Sequence, residues 1–394
     1  MRNSRVPTSL PVYNRIDIVF ERGEGSWLFD RRGKAYLDFG SGIAVTGLGH
    51  CHPHLVRTLQ EQAARLWHVS NLYRIEQQER LADRLVARTF GETVFFCNSG
   101  AEAIEGCIKL VRRYWWAKGQ PERHRIVTFE GAFHGRTMAA ISAAGSKKLT
   151  EGCGPLLPGF DIVPFGDHAA LERAIGPETA AVMVEPIQGE GGIRPIPASC
   201  LKGLRELCDR EGILLVLDEV QSGMGRTGRL FAHETLGIRP DVLAVAKGLG
   251  GGFPIGAFMA TAEAASGMTA GAHGSTFGGN PLACAVANAV LDVMLEDGFL
   301  DGVRAKGELF ERRVRETAAR LPQEILEVRG LGLMLGIRTA RPNTEVAAEL
   351  RDAGLLTVPA GDNVLRLLPP LTVSEAEIER GCALIGETLR ARAA

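Results

Sequence analysis

Short apolar runs recur through the middle of the chain, at residues 94–97, 126–129, 181–184, 213–217, 242–246 and 257–260, with helix-like stretches between them. Several runs offer apolar side chains in both directions, which suits a strand covered on both faces. Buried strands alternating with helices build a largely parallel sheet between helical layers, so this spacing restricts the chain to the α/β class.

The connecting segments agree. Residues 103–116 carry Ile104, Cys107, Ile108, Val111 and Trp115 at steps of three and four, which makes an amphipathic helix. Ser99-Gly100-Ala101-Glu102 ahead of it has the form of a capping box. Further helices are predicted over 201–211, 281–295 and 303–321. The pattern then changes to a strand over 327–337, a helix over 344–353, a strand over 364–368 and a closing helix over 374–391. The predicted division is an N-terminal arm (1–48), a large α/β domain (49–280) and a C-terminal α+β domain (281–394) against which the arm packs.

Lys and Arg number 45 against 46 Asp and Glu, a formal net charge of −1. No field of one sign favours nucleic acid or an anionic membrane surface. No stretch approaches the roughly 20 apolar residues of a membrane span, and the first twenty residues lack the apolar core of a secretory signal. A cytoplasmic location is expected. The eight cysteines never form Cys-x-x-Cys and are expected to be free thiols. Glycine is in excess, 48 of 394 residues, and must occupy turns and sites.

Ligands of an open α/β sheet sit outside the carboxyl ends of its strands. Asp218 and Lys247 each stand at such an end. A lysine desolvated there is a competent amine for a Schiff base, and an aspartate nearby would pair with a cation, such as a protonated ring nitrogen. A plain buried ion pair, or two unrelated surface residues, is the alternative. Asn98-Ser99-Gly100-Ala101 stands between a buried strand and a helix start, as an anion cradle or a simple cap. The glycine-dense stretches 248–252 and 273–281 are weaker candidates. Gly223-Met224-Gly225-Arg226-Thr227-Gly228 matches the Gly-x-Gly-x-x-Gly pattern but lies beyond its strand, and no helix start follows. It reads as a glycine-rich loop and not as a dinucleotide site.

Phe133 and Arg136 follow the run 126–129. An aromatic there can stack on a planar ring and a guanidinium can grip a carboxylate; a core Phe and a surface Arg are the bland alternatives. Arg366 lies inside an apolar run and requires an anion. His50, His52 and His54 alternate, but Pro53 and the lack of nearby carboxylates favour a structured turn, and no metal is predicted.

The stretches GIAVTGLGHCHP from Gly42, LWHVSNLY from Leu66, NSGAEA from Asn98, AFHGRT from Ala132, VEPIQGEGG from Val184, LDEVQSGMGRTG from Leu217, AKGLGGGFPIGA from Ala246 and HGSTFGGNPLAC from His273 carry a resemblance over nearly the whole chain. In them the sequence resembles the class III, or ω-amino, aminotransferases of the fold-type I pyridoxal-phosphate family. The resemblance implies a mostly parallel, seven-stranded large domain beside a smaller α+β domain. It implies pyridoxal 5'-phosphate joined to Lys247, which also carries the proton, with Asp218 on the ring nitrogen, Gln221 on the ring hydroxyl and Phe133 on a ring face. Ser99, Gly100 and Ala101 would hold the phosphate together with the partner subunit's Thr276, in a homodimer whose site lies at the interface. Arg366 would take the α-carboxylate of glutamate or 2-oxoglutarate, Arg136 the far carboxylate, and Glu190 would neutralise Arg366 in the other half reaction. Tyr13 and Ser275 join the substrate contacts. Members acting on free ornithine carry tyrosine where Ile43 stands. An acylated amine is therefore implied, N2-acetylornithine first, with 4-aminobutyrate, succinylornithine and succinyldiaminopimelate as alternatives. A non-catalytic ligand-binding protein of the same fold is the rival of another class, and the intact residue set argues against it.

Overall fold

The structure is a computed structural model and describes residues 9–393. Its central sheet has seven strands: β1 (Thr93–Cys97), β2 (Arg125–Phe129), β3 (Phe160–Val163), β4 (Thr179–Val184), β5 (Leu214–Asp218), β6 (Val242–Val245) and β7 (Gly256–Ala260). They lie in the order β1-β7-β6-β5-β4-β2-β3. Only β7 is antiparallel to its neighbours, the other pairs being parallel. Side chains alternate between two cores. Along β5, Leu215 and Leu217 enter one, and Leu214 and Val216 the other. This is the burial on both faces that the apolar runs demand.

The strand β3 was not predicted from the sequence. It is an edge strand paired with β2 alone, its Asp161 is bound by Arg125 at 2.8 Å, and Ile162 is exposed. An edge strand needs no continuous apolar run, so it left no signal of that kind.

The helix Gly100–Ala117 buries Ile104, Cys107, Ile108, Val111 and Trp115 against the sheet. A Cβ on Gly106 would stand 2.2 Å from the Phe258 ring, so a side chain there would hold the helix away from β7. The segment read as one strand over 327–337 is a hairpin, Ile325–Leu331 and Met334–Thr339. It turns at Gly332-Leu333, where Gly332 has a positive φ. With Val364–Leu367 and Val358–Ala360 it forms a four-stranded antiparallel sheet.

A third sheet joins the chain's two ends. Phe20–Glu24, Trp27–Asp30 and Ala35–Asp38 form an antiparallel meander, and Leu355–Leu356 adds in parallel, with Leu355 opposite Leu37. Trp27 Nε1 donates to Glu377 at 2.8 Å. Pro53 opens the helix Pro53–Ala63. His50 pairs with Asp38 at 2.8 Å and His54 with Asp292 at 3.0 Å. All eight cysteines are free thiols. Among the described residues no helix is long and apolar enough to cross a membrane.

Candidate active site

A cavity of about 430 Å³ opens at the carboxyl ends of the strands. Asp218 ends β5, Glu185 follows β4, Asn98–Ala101 follow β1, Phe133–Arg136 follow β2 and Lys247 follows β6. Parallel strands with one polarity bring these sequence-distant residues to a single rim.

Lys247 reaches the rim through a backbone reversal, with φ +48 in the left-handed region. A non-glycine residue there costs about 1–3 kcal/mol, which the surrounding packing must offset. Its ammonium is disfavoured, and the pKa is lowered, first by burial and then by the charge of Arg366; the carboxylates of Glu190, Asp218 and Glu185 oppose this without cancelling it.

Asp218 is buried, and its Oδ2 meets His134 Nδ1 at 2.7 Å while Oδ1 accepts from Val220 N at 3.0 Å. Burial works against a charged His134, but the hydrogen bond and charge of Asp218, with Glu185 beyond, outweigh it and raise the His134 pKa. The imidazole Nδ1–H therefore donates to Asp218. His134 Nε2 is buried and has no partner among the described residues. Glu185 is also buried. It accepts from Phe133 N at 2.9 Å and from Gly189 N at 3.1 Å, and burial, then the charge of Asp218, push its pKa up to about 7. His134 and Glu185 were missed as site residues. The rule that found Asp218, a charged residue just past a buried strand, applies equally to Glu185, and His134 lies inside the quoted AFHGRT stretch.

Ser99 caps the helix Gly100–Ala117, its Oγ accepting from Glu102 N at 3.2 Å. The return arm of the expected capping box differs: the Glu102 carboxylate accepts from Asn98 N at 2.8 Å. The leading N–H groups of a helix have no intrahelical acceptor, and Gly100 and Ala101, which open this helix, line the cavity. A Cβ on Gly100 would come within 2.7 Å of Val220.

The two arginines are in opposite states. Arg366, 1% exposed, donates to the Glu190 carboxylate and to Gln221 Oε1 at 3.3 Å. Gln221 also lines the cavity, and so links the two. Arg136 lies at the rim, and among the described residues no carboxylate pairs with it; its guanidinium stands 5.8 Å from the Phe133 ring centroid. Arg366 and Glu190 lie behind Gln221 and do not themselves line the cavity, and neither do Tyr13, Ile43, Ser275 and Thr276 within one chain. Tyr13 is 72% exposed, and Ile43 is also exposed, in the short segment Ser41–Ala44. Ser275 Oγ accepts from Gly278 N at 2.9 Å and faces Asn98 Nδ2 at 3.4 Å, while Thr276 is exposed beside Phe277.

A helix start at Gly100, a buried carboxylate at Asp218, the aromatic Phe133 and a buried lysine whose ammonium form is disfavoured share one cavity, and their chemistry fits pyridoxal phosphate. The class-III aminotransferase family model matches residues 10–389. The chain belongs to the class-III aminotransferases, fold-type I enzymes that transfer amino groups with pyridoxal phosphate. It is 61% identical to the acetylornithine aminotransferase of Mesorhizobium japonicum over 366 residues, 93% of this chain and 92% of that one. Among solved structures, the N-acetylornithine aminotransferase of Stenotrophomonas maltophilia superposes with a TM-score of 0.85 at 39% identity, covering 97% of this chain and 98% of that one. The ornithine aminotransferase of Toxoplasma gondii gives 0.94 at 32% identity, covering 98% and 93%.

Proposed function

We propose that this aminotransferase moves the terminal amino group of N2-acetylornithine to 2-oxoglutarate, giving N-acetylglutamate 5-semialdehyde and glutamate, as a cytoplasmic step of arginine biosynthesis. The observation that carries the reading is the unequal state of the two arginines. Arg136 is open and suits the single carboxylate of an ω-amine donor, whose far end then reaches Lys247. Arg366 is neutralised by Glu190, which matches a donor with no second carboxylate; an uncompensated buried guanidinium would otherwise be costly. Glu190 keeps a side chain 35% exposed, and swinging it toward solvent frees Arg366 for the dicarboxylate acceptor. The apolar Ile43 suits an acylated amine.

When bound, the cofactor supplies an electron-withdrawing ring that takes up the electron pair left on the substrate carbon after proton loss. Lys247 Nζ would carry that proton. Asp218, held by His134 and Val220 N, would keep the ring nitrogen protonated. Phe133, Gln221 and the Ser99, Gly100 and Ala101 turn would hold the ring, its hydroxyl and the phosphate. The division into an arm (1–48), a large domain (49–280) and a small domain (281–394) belongs to the same proposal.

A homodimer is part of it too. Trp67, Leu72, Tyr73 and Phe277 are each at least 60% exposed. Asn71 binds the backbone of Ser275 and Gly278, at 3.1 and 2.9 Å, and His68 packs on Phe277 at 5.2 Å. An exposed apolar patch of this kind marks an interface, and Thr276 stands within it. The partner subunit's Thr276 and Ser275 then complete the site, with Tyr13 closing its mouth.

The test is a half-reaction panel with single amine donors, followed through the absorbance of the bound cofactor. N2-acetylornithine should be preferred over 4-aminobutyrate, succinylornithine, succinyldiaminopimelate and ornithine. A higher kcat/KM for 4-aminobutyrate would overturn the substrate assignment while leaving the chemistry in place.

A further inference from the structure

The Gly223–Gly228 loop is left without a part in the cofactor site, and its structure assigns it another. It continues from Asp218 and runs between the central sheet and the C-terminal elements. Gly225 has φ +84, and a Cβ there would stand 2.7 Å from Leu371; Gly228 has φ +87, and a Cβ would stand 2.3 Å from Arg304. Arg304 Nη1 in turn donates to Gly228 O at 2.8 Å. The glycines of the motif thus serve close packing against another part of the same chain.

Arg226 stands at the centre of the loop. It is 2% exposed, and among the described residues no carboxylate neutralises it. Its Nη1 donates to Leu333 O at 3.2 Å and to Pro369 O, and its own carbonyl accepts from Leu333 N at 3.0 Å. Burial lowers its pKa to about 10, so the guanidinium remains charged at neutral pH. Leu333 lies in the turn that leads into Met334–Thr339, the strand on which Gly336 pairs with Arg366. Pro369 lies just past the end of Val364–Leu367, the strand that carries Arg366. One side chain therefore fixes the two flanks of the Arg366 strand pair to the loop that leaves Asp218.

We propose that Arg226 is a positioning residue for Arg366, setting the distance from the acceptor's carboxylate site to the cofactor side of the cavity. Its charge has no ionic partner because its acceptors are main-chain carbonyls, which hold backbone position where a carboxylate side chain could yield. The proposal rests on the reading of Arg366 as the carboxylate site of the acceptor.

The experiment compares Arg226→Met, Arg226→Lys and Arg366→Met holoenzymes, with KM and kcat measured for 2-oxoglutarate and for acetylornithine. Arg226→Met should raise the 2-oxoglutarate KM at least ~10-fold, with kcat within about threefold and the amine KM within about twofold, since Arg136 lies on a separate loop. Arg226→Lys, which keeps one donor, should fall between. In cofactor-free Arg226→Met protein, amide hydrogen exchange over 364–369 should be at least ~3-fold faster, a loosening that precedes any chemistry. Equal shifts in both KM values, or no shift, would overturn the proposal, as would failure of both Arg226 variants to fold, which would make Arg226 a folding element only. Arg366→Met separates the two readings. If it leaves the 2-oxoglutarate KM unchanged, the site assignment falls; if it raises that KM while Arg226→Met does not, only the positioning role falls.

Discussion

Lys247 combines two unfavourable states, a left-handed backbone and a buried amine. Without cofactor, the second makes a prediction with a definite sign. A lysine whose folded pKa is depressed binds fewer protons folded than unfolded between the lowered value and the ordinary one near 10.4, so stability rises with pH across that window. Lys247→Met removes the penalty. The cofactor-free variant should melt higher than the cofactor-free parent at about pH 7, and the gap should narrow as pH approaches about 10. Calorimetry over that range checks it, and a constant gap would mean that the amine is not desolvated. His134 supplies a second prediction. His134→Ala leaves Asp218 without its buried donor, and loss of a hydrogen bond to a charged group costs about 1.5–3 kcal/mol. Cofactor affinity, read from an absorbance titration, should fall by at least ~10-fold. At this scale Asp218, Lys247, Arg136 and Arg366 stood out in the sequence because strand ends and apolar runs make a charge conspicuous, and the structure brings the first three to one cavity and buries Arg366 against Glu190. What His134 and Glu185 do was not legible, because it depends on contacts such as that of His134 with Asp218, 84 positions away in the chain.

Among the elements, strands with two buried faces announced themselves, as β4, β5 and β6 did, whereas the edge strand β3 did not. The hairpin over 325–339 was read as one strand because its turn at Gly332-Leu333 is only two residues between apolar arms. The helix start at Ser99 was legible from its cap, yet Glu102 turns to Asn98 N. That bond ties the strand end to the first helical turn, the proposed phosphate cradle. Gly100 permits Val220 to approach this turn. Gly100→Val would force the two apart, and overpacking of this kind costs about 1–3 kcal/mol. Cofactor affinity should weaken at least ~10-fold in the same titration, with the protein still folded by circular dichroism. Unchanged affinity would take the helix terminus out of the phosphate site.

For the molecule as a whole, the exposed patch around Trp67 and Phe277 is the proposed subunit interface. Phe277→Asp places a charge in the proposed interface, where it would be buried without a partner. Sedimentation should show dissociation toward monomer, and activity should fall with the dimer fraction and recover at higher protein concentration; a fully active monomer would show that Thr276 is not shared. Nothing in the linear pattern disclosed how the ends of the chain meet, since Leu355–Leu356 is too short to register as a strand. That junction has a consequence for the order of synthesis. Lys34 and Asp352, which flank it, lie 318 residues apart, and at ~5–20 residues per second the ribosome takes roughly 15–60 s to make the intervening chain. Throughout that interval Ala35–Asp38 presents an open strand edge, the form most prone to pairing wrongly with another chain. Leu355–Leu356 therefore covers an edge that stays open until most of the chain has been made.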